Sequence, residues 1–243
     1  MSVEKPKSPM LVLDGVKYEY QQEWFEFDLT MTQGRILALM GPSGSGKSTL
    51  LSLVAGFIEP NFGEIRFFGE RLNGKAPYKR PFAMLFQEHN LFAHLTVKQN
   101  IALGLHPGLK LSSSQWQQVA QAAQQVGLEH VIERLPEQLS GGQRQRVALA
   151  RCFVQPHSVW LLDEPFSALD PILREEMLAL VQRLATERQA SVLMVTHHIS
   201  DARAIATDFA FMSHGQVQVV DAIEALNSEN AYEPLAQFVQ AGS

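Results

Sequence analysis

The run Gly41, Pro42, Ser43, Gly44, Ser45, Gly46, Lys47, Ser48, Thr49 has the residue types of a phosphate cradle. Its glycines let successive backbone N–H groups turn toward an anion, and the start of the following helix adds partial positive charge. Lys47 can reach β and γ oxygens, and the Ser48 hydroxyl is a ligand for Mg²⁺. A flexible glycine turn is the bland alternative. The flanking pattern disfavours it, because residues 35–40 form a continuous apolar run expected as a doubly buried strand and residues 47–55 a helix stopped by Gly56. Alone, the loop fits kinases, GTPases and motors equally.

A second group of candidates stands after Trp160-Leu-Leu, where Asp163 and Glu164 end an apolar run. That is the edge at which α/β sheets bind ligands. Asp163 is suited to holding Mg²⁺, directly or through water, and Glu164 to polarising an attacking water as general base. Two carboxylates there are costly without a cation. A third group, Ser140-Gly141-Gly142-Gln143, opens a helix containing Arg144, Arg146 and Arg151. Its glycines and the Ser140 hydroxyl offer a second grip on phosphate oxygens. One chain already holds phosphate at residues 41–49, so a second anion site points to a second molecule. The three arginines are read as solvated or structural charge.

The elements that must position these groups follow from periodicity. Residues 11–13, 24–29 and 64–68 read as strands of a small antiparallel sheet. Further strands are expected at 82–86, 158–162, 191–195 and 209–212, with helices at about 172–188 and 200–206 between the later ones. Strand and helix in alternation predict a parallel sheet covered on both faces. From about residue 88 to 154 strand signals vanish. Ser112-Ser-Ser114 caps a helix over about 115–126, and another begins near Gly141, so this stretch reads as a helical insertion.

Composition sets the outer bounds. The 243 residues are 46% apolar and 19% charged, ordinary for a globular chain, and the net charge of −5 argues against a nucleic-acid binder working through bulk electrostatics. No partner made of nucleic acid is expected. The single cysteine, Cys152, lies in an apolar helical stretch and is read as a packing residue. Residues 1–9 read as a disordered lead-in without a signal sequence, and no run approaches the ~20 apolar residues of a membrane helix. A soluble, cytoplasmic chain is expected, with any membrane role coming through a partner.

Taken together, these motifs resemble the ATP-binding subunit of an ABC transporter. Five stand in that family's order: residues 41–48, Gln87 after the strand at 82–86, residues 139–143, residues 159–164 followed by Ser167-Ala-Leu-Asp170, and His197 after the strand at 192–195. The resemblance implies a P-loop NTPase fold of α/β class: a RecA-like parallel core, an antiparallel β subdomain and an inserted α-helical subdomain. Residues 10–243 would form one ATPase domain, with 10–87 and 155–220 making the β subdomain and core, 88–154 the helical subdomain and 221–243 a short helical tail. It also implies ATP and Mg²⁺ as cofactors and a head-to-tail dimer. ATP on residues 41–49 of one copy would be covered by Ser140, Gly141, Gly142 and Gln143 of the other. Gln87 would sense the metal and attacking water, His197 would contact the γ-phosphate, and Asp170 would link the two sites. Metal ligation would fall to Ser48, Gln87 and Asp163. An aromatic residue should stack on adenine, and spacing favours Tyr20, with Tyr18 the fallback. His198 departs from the family, since many relatives carry an acidic residue there.

Residues 84–101 gather apolar side chains directly after Gln87. They resemble the lip of a groove that receives a short helix from an integral membrane permease, with Phe92 and Leu95 as its exposed members. Residues 84–111 and 135–143 resemble in wording the ATPase subunits of bacterial thiamine importers. That resemblance implies a periplasmic solute-binding protein as an indirect partner and a place at the cytoplasmic face of the inner membrane. Importers of another small solute are the nearest alternative. A chromosome-organising or repair ATPase would need long coiled-coil arms between Gly46 and Ser140, and a translation factor of the family usually carries two cassettes.

Overall fold

The computed structural model describes residues 9–88 and 90–242. Among the described residues ten strands form one sheet: β1 (Pro9–Tyr20), β2 (Glu23–Thr32), β3 (Ile36–Met40), β4 (Phe62–Phe67), β5 (Glu70–Arg71), β6 (Phe82–Leu85), β7 (Val159–Asp163), β8 (Ser191–Val195), β9 (Asp208–Ser213) and β10 (Gln216–Ala222). Among the described residues the α-helices are α1 (Lys47–Ala55), α2 (Val97–Ala102), α3 (Ser113–Gln125), α4 (Gly141–Phe153), α5 (Pro171–Glu187), α6 (Ile199–Ile205) and α7 (Glu233–Ala241). The expected lead-in of residues 1–9 lies outside the described residues except for Pro9, and there the expectation is corrected. Pro9 already belongs to β1 and stands opposite Thr32.

The strand order is β5-β4-β1-β2-β10-β9-β3-β8-β7-β6. From β9 to β6 all neighbours run parallel, whereas β1, β2, β4 and β5 pair antiparallel. The antiparallel part is not a separate sheet. β10 joins it to the parallel core, antiparallel to β9 and meeting β2 through the single pair Gln216 and Glu26.

The doubly buried strand expected before the glycine loop is present, with all five residues of β3 buried. Its side chains alternate between two apolar clusters. Ile36, Ala38 and Met40 join α2 to α7 on one face, and Leu37 and Leu39 join α1 and the β1–β2 hairpin on the other. β7 divides in the same way, Trp160 and Leu162 to the first face and Val159 and Leu161 to the second. Cys152 is fully buried in the first cluster, and burial pushes its thiol pKa up to about 12, so it packs as a protonated apolar group.

Helix boundaries follow local chemistry. α2 and α3 start on capping boxes, Thr96 with Gln99 and Ser112 with Gln115. α1 ends where Gly56 adopts φ +84°, a left-handed turn that sends its N–H to the carbonyls of Ser52 and Leu53. Arg80 reaches the same end, sharing Leu53 O with Gly56 and adding Val54 O. Its buried guanidinium donates from Nη1 to Leu53 O (2.7 Å) and Val54 O (2.9 Å), from Nε to Lys75 O (3.0 Å) and from Nη2 to Glu59 Oε1 (2.8 Å). Arg80 thereby ties the end of the phosphate-loop helix to the strand that leads to Gln87. Arg80→Leu removes every one of these donors and strands buried carbonyls, so a loss of about 3 kcal/mol is expected in urea unfolding monitored by circular dichroism. An unfolding midpoint equal to the parent's would show that the tie is dispensable.

Candidate functional site

Three neighbouring strands end at one level of the sheet edge. Leu39 of β3 and Asp163 of β7 both stand opposite Val195 of β8. The residues that follow, Gly41, Glu164 and His197, are therefore delivered to one place. Gly41 must be glycine for a second reason, because a Cβ there would lie 2.1 Å from Met212 O and its φ is +142°.

The loop wraps the start of α1. Gly46 precedes the helix without a side-chain cap, and no acidic residue occupies the first turn, so the first N–H groups of the helix and its positive end face outward unclaimed by any cap. Lys47 curls over the loop, its Nζ donating to Gly41 O (2.9 Å), Pro42 O (2.8 Å) and Ser45 Oγ (3.4 Å). Burial lowers its ammonium pKa below the usual lysine value, with Glu164 and Asp163 pulling the other way. A 510 Å³ cavity opens directly beside the loop, lined by Pro42, Ser43, Gly44 and Ser45 and by Glu23 and Trp24 of β2.

The carboxylates sit where the sequence put them. Asp163 is buried, and its Oδ1 lies 3.3 Å from Ser48 Oγ. Burial raises its carboxyl pKa, Glu164 adds to the effect, and Ser48 and Lys47 oppose it. A hydroxyl and a buried carboxylate within one hydrogen bond, both hard oxygen donors, fit a Mg²⁺ site, and a divalent cation would offset the cost of burying Asp163. Gln87 is exposed in the turn after β6, whose Leu85 pairs with Leu162, so it stands along the same edge.

Glu164 is held on both sides. Its backbone takes the left-handed region at φ +49°, strained for a residue with a side chain. Its N–H donates to Val195 O (3.1 Å), and its carbonyl accepts from Gln145 Nε2 (2.9 Å) and Ser167 Oγ (3.2 Å). The side chain meets His197, with Nδ1 3.5 Å from Oε1. Gln145 escaped the sequence reading. The available signal was a polar residue at the i position of the buried α4 stripe carried on by Ala148, Leu149 and Cys152.

The start of α4 behaves differently from the start of α1. Ser140 Oγ accepts from Gln143 N (3.2 Å), and Gln143 Oε1 accepts from Ser140 N (2.9 Å), a capping box. The box engages the Ser140 and Gln143 backbone N–H groups within the helix start. The Gly141 and Gly142 N–H groups and the Ser140 hydroxyl proton remain, and Gly142 packs against Ala168 and Leu169. Among the described residues no hydrogen bond or ion pair joins residues 140–143 to residues 41–49. Asp170 caps α5 by accepting from Leu173 N (3.0 Å) and stands at the far end of the loop that begins at Glu164. Arg144 donates to Leu139 O, Arg146 to Val126 O and Gly127 O, and Arg151 to Asn90 O, which makes these arginines structural.

Tyr20 and Tyr18 separate clearly. Tyr18 stands opposite Phe25 and is partly buried against the apolar cluster, whereas Tyr20, at the hairpin tip opposite Glu23, is 55% exposed. Both share the strand face of Phe25, whose ring lies against the loop, since a Cβ at Gly46 would come within 2.6 Å of it. The His198 ring packs against that of His197, centroids 4.2 Å apart and planes tilted by 40°. Its pKa is lowered by burial, then by Arg174 and His197.

Residues 25–167 match the ABC transporter family. The chain is 68% identical over 232 residues to the thiamine import ATP-binding protein ThiQ of Vibrio cholerae, covering 96% of this chain and 98% of that one. It is 52% identical over 217 residues to the protein of the same name from Yersinia pestis, covering 89% and 92%. Among solved structures, it resembles a dimeric ATP-binding cassette in a post-hydrolysis state bound to ADP and Pi, with a TM-score of 0.80 and 29% identity over 88% of this chain and 99% of that one. The matched segment contains the phosphate loop, the Ser140 helix start and both carboxylates, and the chain belongs to the ABC transporter family as one of its ATP-binding subunits.

Proposed function

We propose that this chain is the ATP-hydrolysing subunit of an importer for thiamine, acting as a pair of identical cassettes bound to an integral membrane permease. The observation that carries the reading is a phosphate site complete on one side only. Cradle, carboxylates and His197 meet at one sheet edge, while the Ser140 helix start keeps free donors that no bond within the chain directs to that edge. A second copy placed head to tail supplies Ser140, Gly141, Gly142 and Gln143 as the lid. The dimeric cassettes of similar fold support this arrangement, and the thiamine import proteins to which the chain is similar support the solute.

In this reading the triphosphate lies on residues 41–49, where Lys47 exchanges the loop carbonyls for phosphate oxygens. Tyr20, exposed on the face of Phe25, stacks on adenine. Ser48, Asp163 and Gln87 would hold Mg²⁺, which when bound neutralises charge on the β and γ oxygens. Glu164 accepts a proton from water as the water oxygen attacks the γ-phosphorus. The bond from that phosphorus to the bridging oxygen breaks, and ADP departs with the electron pair. His197 orients Glu164 and donates to the γ-phosphate, and Asp170 lies between this centre and the lid surface of the same chain.

Coupling to the permease falls to the segment after Gln87. Buried Asn100 knits it, donating to the carbonyls of Phe92, Leu95 and Thr96 and accepting from Phe92 N. That leaves Phe92 half exposed beside an apolar cavity of 530 Å³ lined by Leu95, Leu103 and Leu109. The cavity suits a short apolar helix from the permease. No helix among the described residues is long and apolar enough to cross a membrane, in keeping with a peripheral subunit on the cytoplasmic face. A periplasmic binding protein would present the solute to the permease, so no residue of this chain touches the vitamin.

Glu164→Gln is expected to bind ATP like the parent and to hydrolyse it about 10²–10⁴ times more slowly, read by phosphate release. A parent rate would remove Glu164 as the base. Ser140→Arg should leave ATP binding by the isolated chain nearly intact and abolish ATP-driven dimerisation in light scattering, and an unchanged dimer would count against the two-copy site. The solute is tested by uptake. Cells lacking this protein should lose accumulation of labelled thiamine and regain it with the parent gene but not with Glu164→Gln, while parental accumulation in the deletion strain would exclude thiamine.

A further inference from the structure

The His197 side chain is half exposed, approaching Glu164 at 3.5 Å and packing its ring against that of His198 at a tilt of 40°. Its position therefore depends on the backbone turn between β8 and α6. That turn is anchored by Thr196, which is 3% exposed and whose N–H donates to Leu39 O (3.3 Å).

The Thr196 hydroxyl bonds in two directions. Oγ1 donates to Asp201 Oδ2 (3.3 Å) and accepts from His198 N (3.1 Å). The order follows from the His198 N–H, which can only donate and so takes a lone pair of the hydroxyl oxygen. The hydroxyl proton is left for Asp201 Oδ2. Asp201 is 2% exposed in the first turn of α6, where a lone carboxylate would be costly. Arg174 of α5 supplies the countercharge, its Nη1 lying 4.0 Å from Asp201 Oδ1, while its Nη2 donates to Phe166 O (3.3 Å). Phe166 belongs to the loop that follows Glu164. A chain of contacts thus runs from that loop through Arg174, Asp201 and Thr196 to the main chain on either side of His197, its Arg174–Asp201 link being an ion pair without a hydrogen bond.

We infer that Asp201 and Thr196 are positioning residues for His197, fixing the turn that holds its imidazole against Glu164. Neither touches the triphosphate in the proposed reading, and both act through the backbone at residues 196–198. Burial raises the Asp201 carboxyl pKa, and Arg174, His198 and the Thr196 hydrogen bond oppose that rise. This inference rests on the reading of His197 as a γ-phosphate contact.

The test compares steady-state ATP hydrolysis by the full chain in Thr196→Val, Thr196→Ser, His197→Ala and the double variant Thr196→Val/His197→Ala. Equilibrium ATP binding is measured for each. Thr196→Val keeps shape and removes the hydroxyl, so kcat should fall about 10-fold with ATP affinity changed less than about 2-fold, and Thr196→Ser should recover a rate within about 2-fold of the parent. The double variant should be no slower than His197→Ala alone, because a group acting only through His197 has nothing left to position. Losses that multiply in the double variant, a parent rate in Thr196→Val, or failure of Thr196→Ser to recover would overturn the positioning role. A parent rate in His197→Ala would overturn the reading of His197 itself and the inference with it. Asp201→Asn adds an independent arm. Its amide can present N–H to the hydroxyl and reverse the bond order, so its kcat should fall with that of Thr196→Val, and a parent rate would remove Asp201 from the chain of contacts.

Discussion

The register of three parallel strands is the constraint on which the rest depends. Leu39, Asp163 and Val195 share one level of the sheet, so the phosphate loop, the carboxylate pair and the histidine turn all leave from the same edge. No catalytic contact is needed to set that register. Each strand sends alternate side chains to two apolar clusters, and a slip by one residue would exchange the faces, moving Trp160 from the side of α4 to the side of α1. The core enforces the alignment of the active groups because misalignment costs it several buried side chains at once. Packing energy, spread over the whole sheet, is what specifies the geometry of a few polar atoms at its rim.

Those polar atoms sit in positions that cost stability locally. Glu164 holds a left-handed backbone, Asp163 is a buried carboxylate beside a second acid, and Gly41 passes so close to Met212 that no side chain fits. A left-handed residue with a side chain costs roughly 1–2 kcal/mol. The surrounding bonds explain why it persists: Val195 takes the Glu164 N–H and Gln145 reaches its carbonyl from α4. Gln145 also accepts from Ala168 N (3.0 Å), so one buried amide fixes both the base and the loop leading to Asp170. The helix that begins at Ser140 and the turn that carries Glu164 are thereby joined within the chain. Any shift of α4 imposed by a partner would be felt at Glu164.

What the sequence made legible is what spacing alone controls. The glycine loop, the carboxylates after an apolar strand, the serine cap of α3 and the starts of α1, α4 and α5 depend on residues within a few positions of one another. The features that were not legible join distant segments. Arg80 reaches back to α1, Arg174 meets Asp201, and Gln145 meets Glu164, each pair separated by many residues and brought together only by the sheet. The antiparallel strands looked like an independent sheet because the pair that links them to the core, Gln216 with Glu26, is a single register position that leaves no mark on periodicity. Ser140 was expected to offer its hydroxyl to phosphate, and the capping box with Gln143 uses only a lone pair of that oxygen, leaving the hydroxyl proton to donate.

That box gives the two helix starts unequal roles. α1 begins with no side-chain cap, so its first N–H groups give up only water when an anion arrives. α4 caps itself, so its fold does not depend on phosphate and it brings only the Gly141 and Gly142 N–H groups and one hydroxyl proton to a shared site. In the proposed pair, affinity of a single chain for nucleotide therefore resides in the cradle. The lid adds a smaller increment that exists only once two copies meet. A small closing energy is what a cycle requires, because a lid bound as strongly as the cradle would hold ADP and phosphate as firmly as ATP. Loss of the γ-phosphate removes the oxygens that the lid donors address, while the cradle keeps its hold on the β-phosphate. Opening then follows hydrolysis from the difference between an uncapped and a self-capped helix.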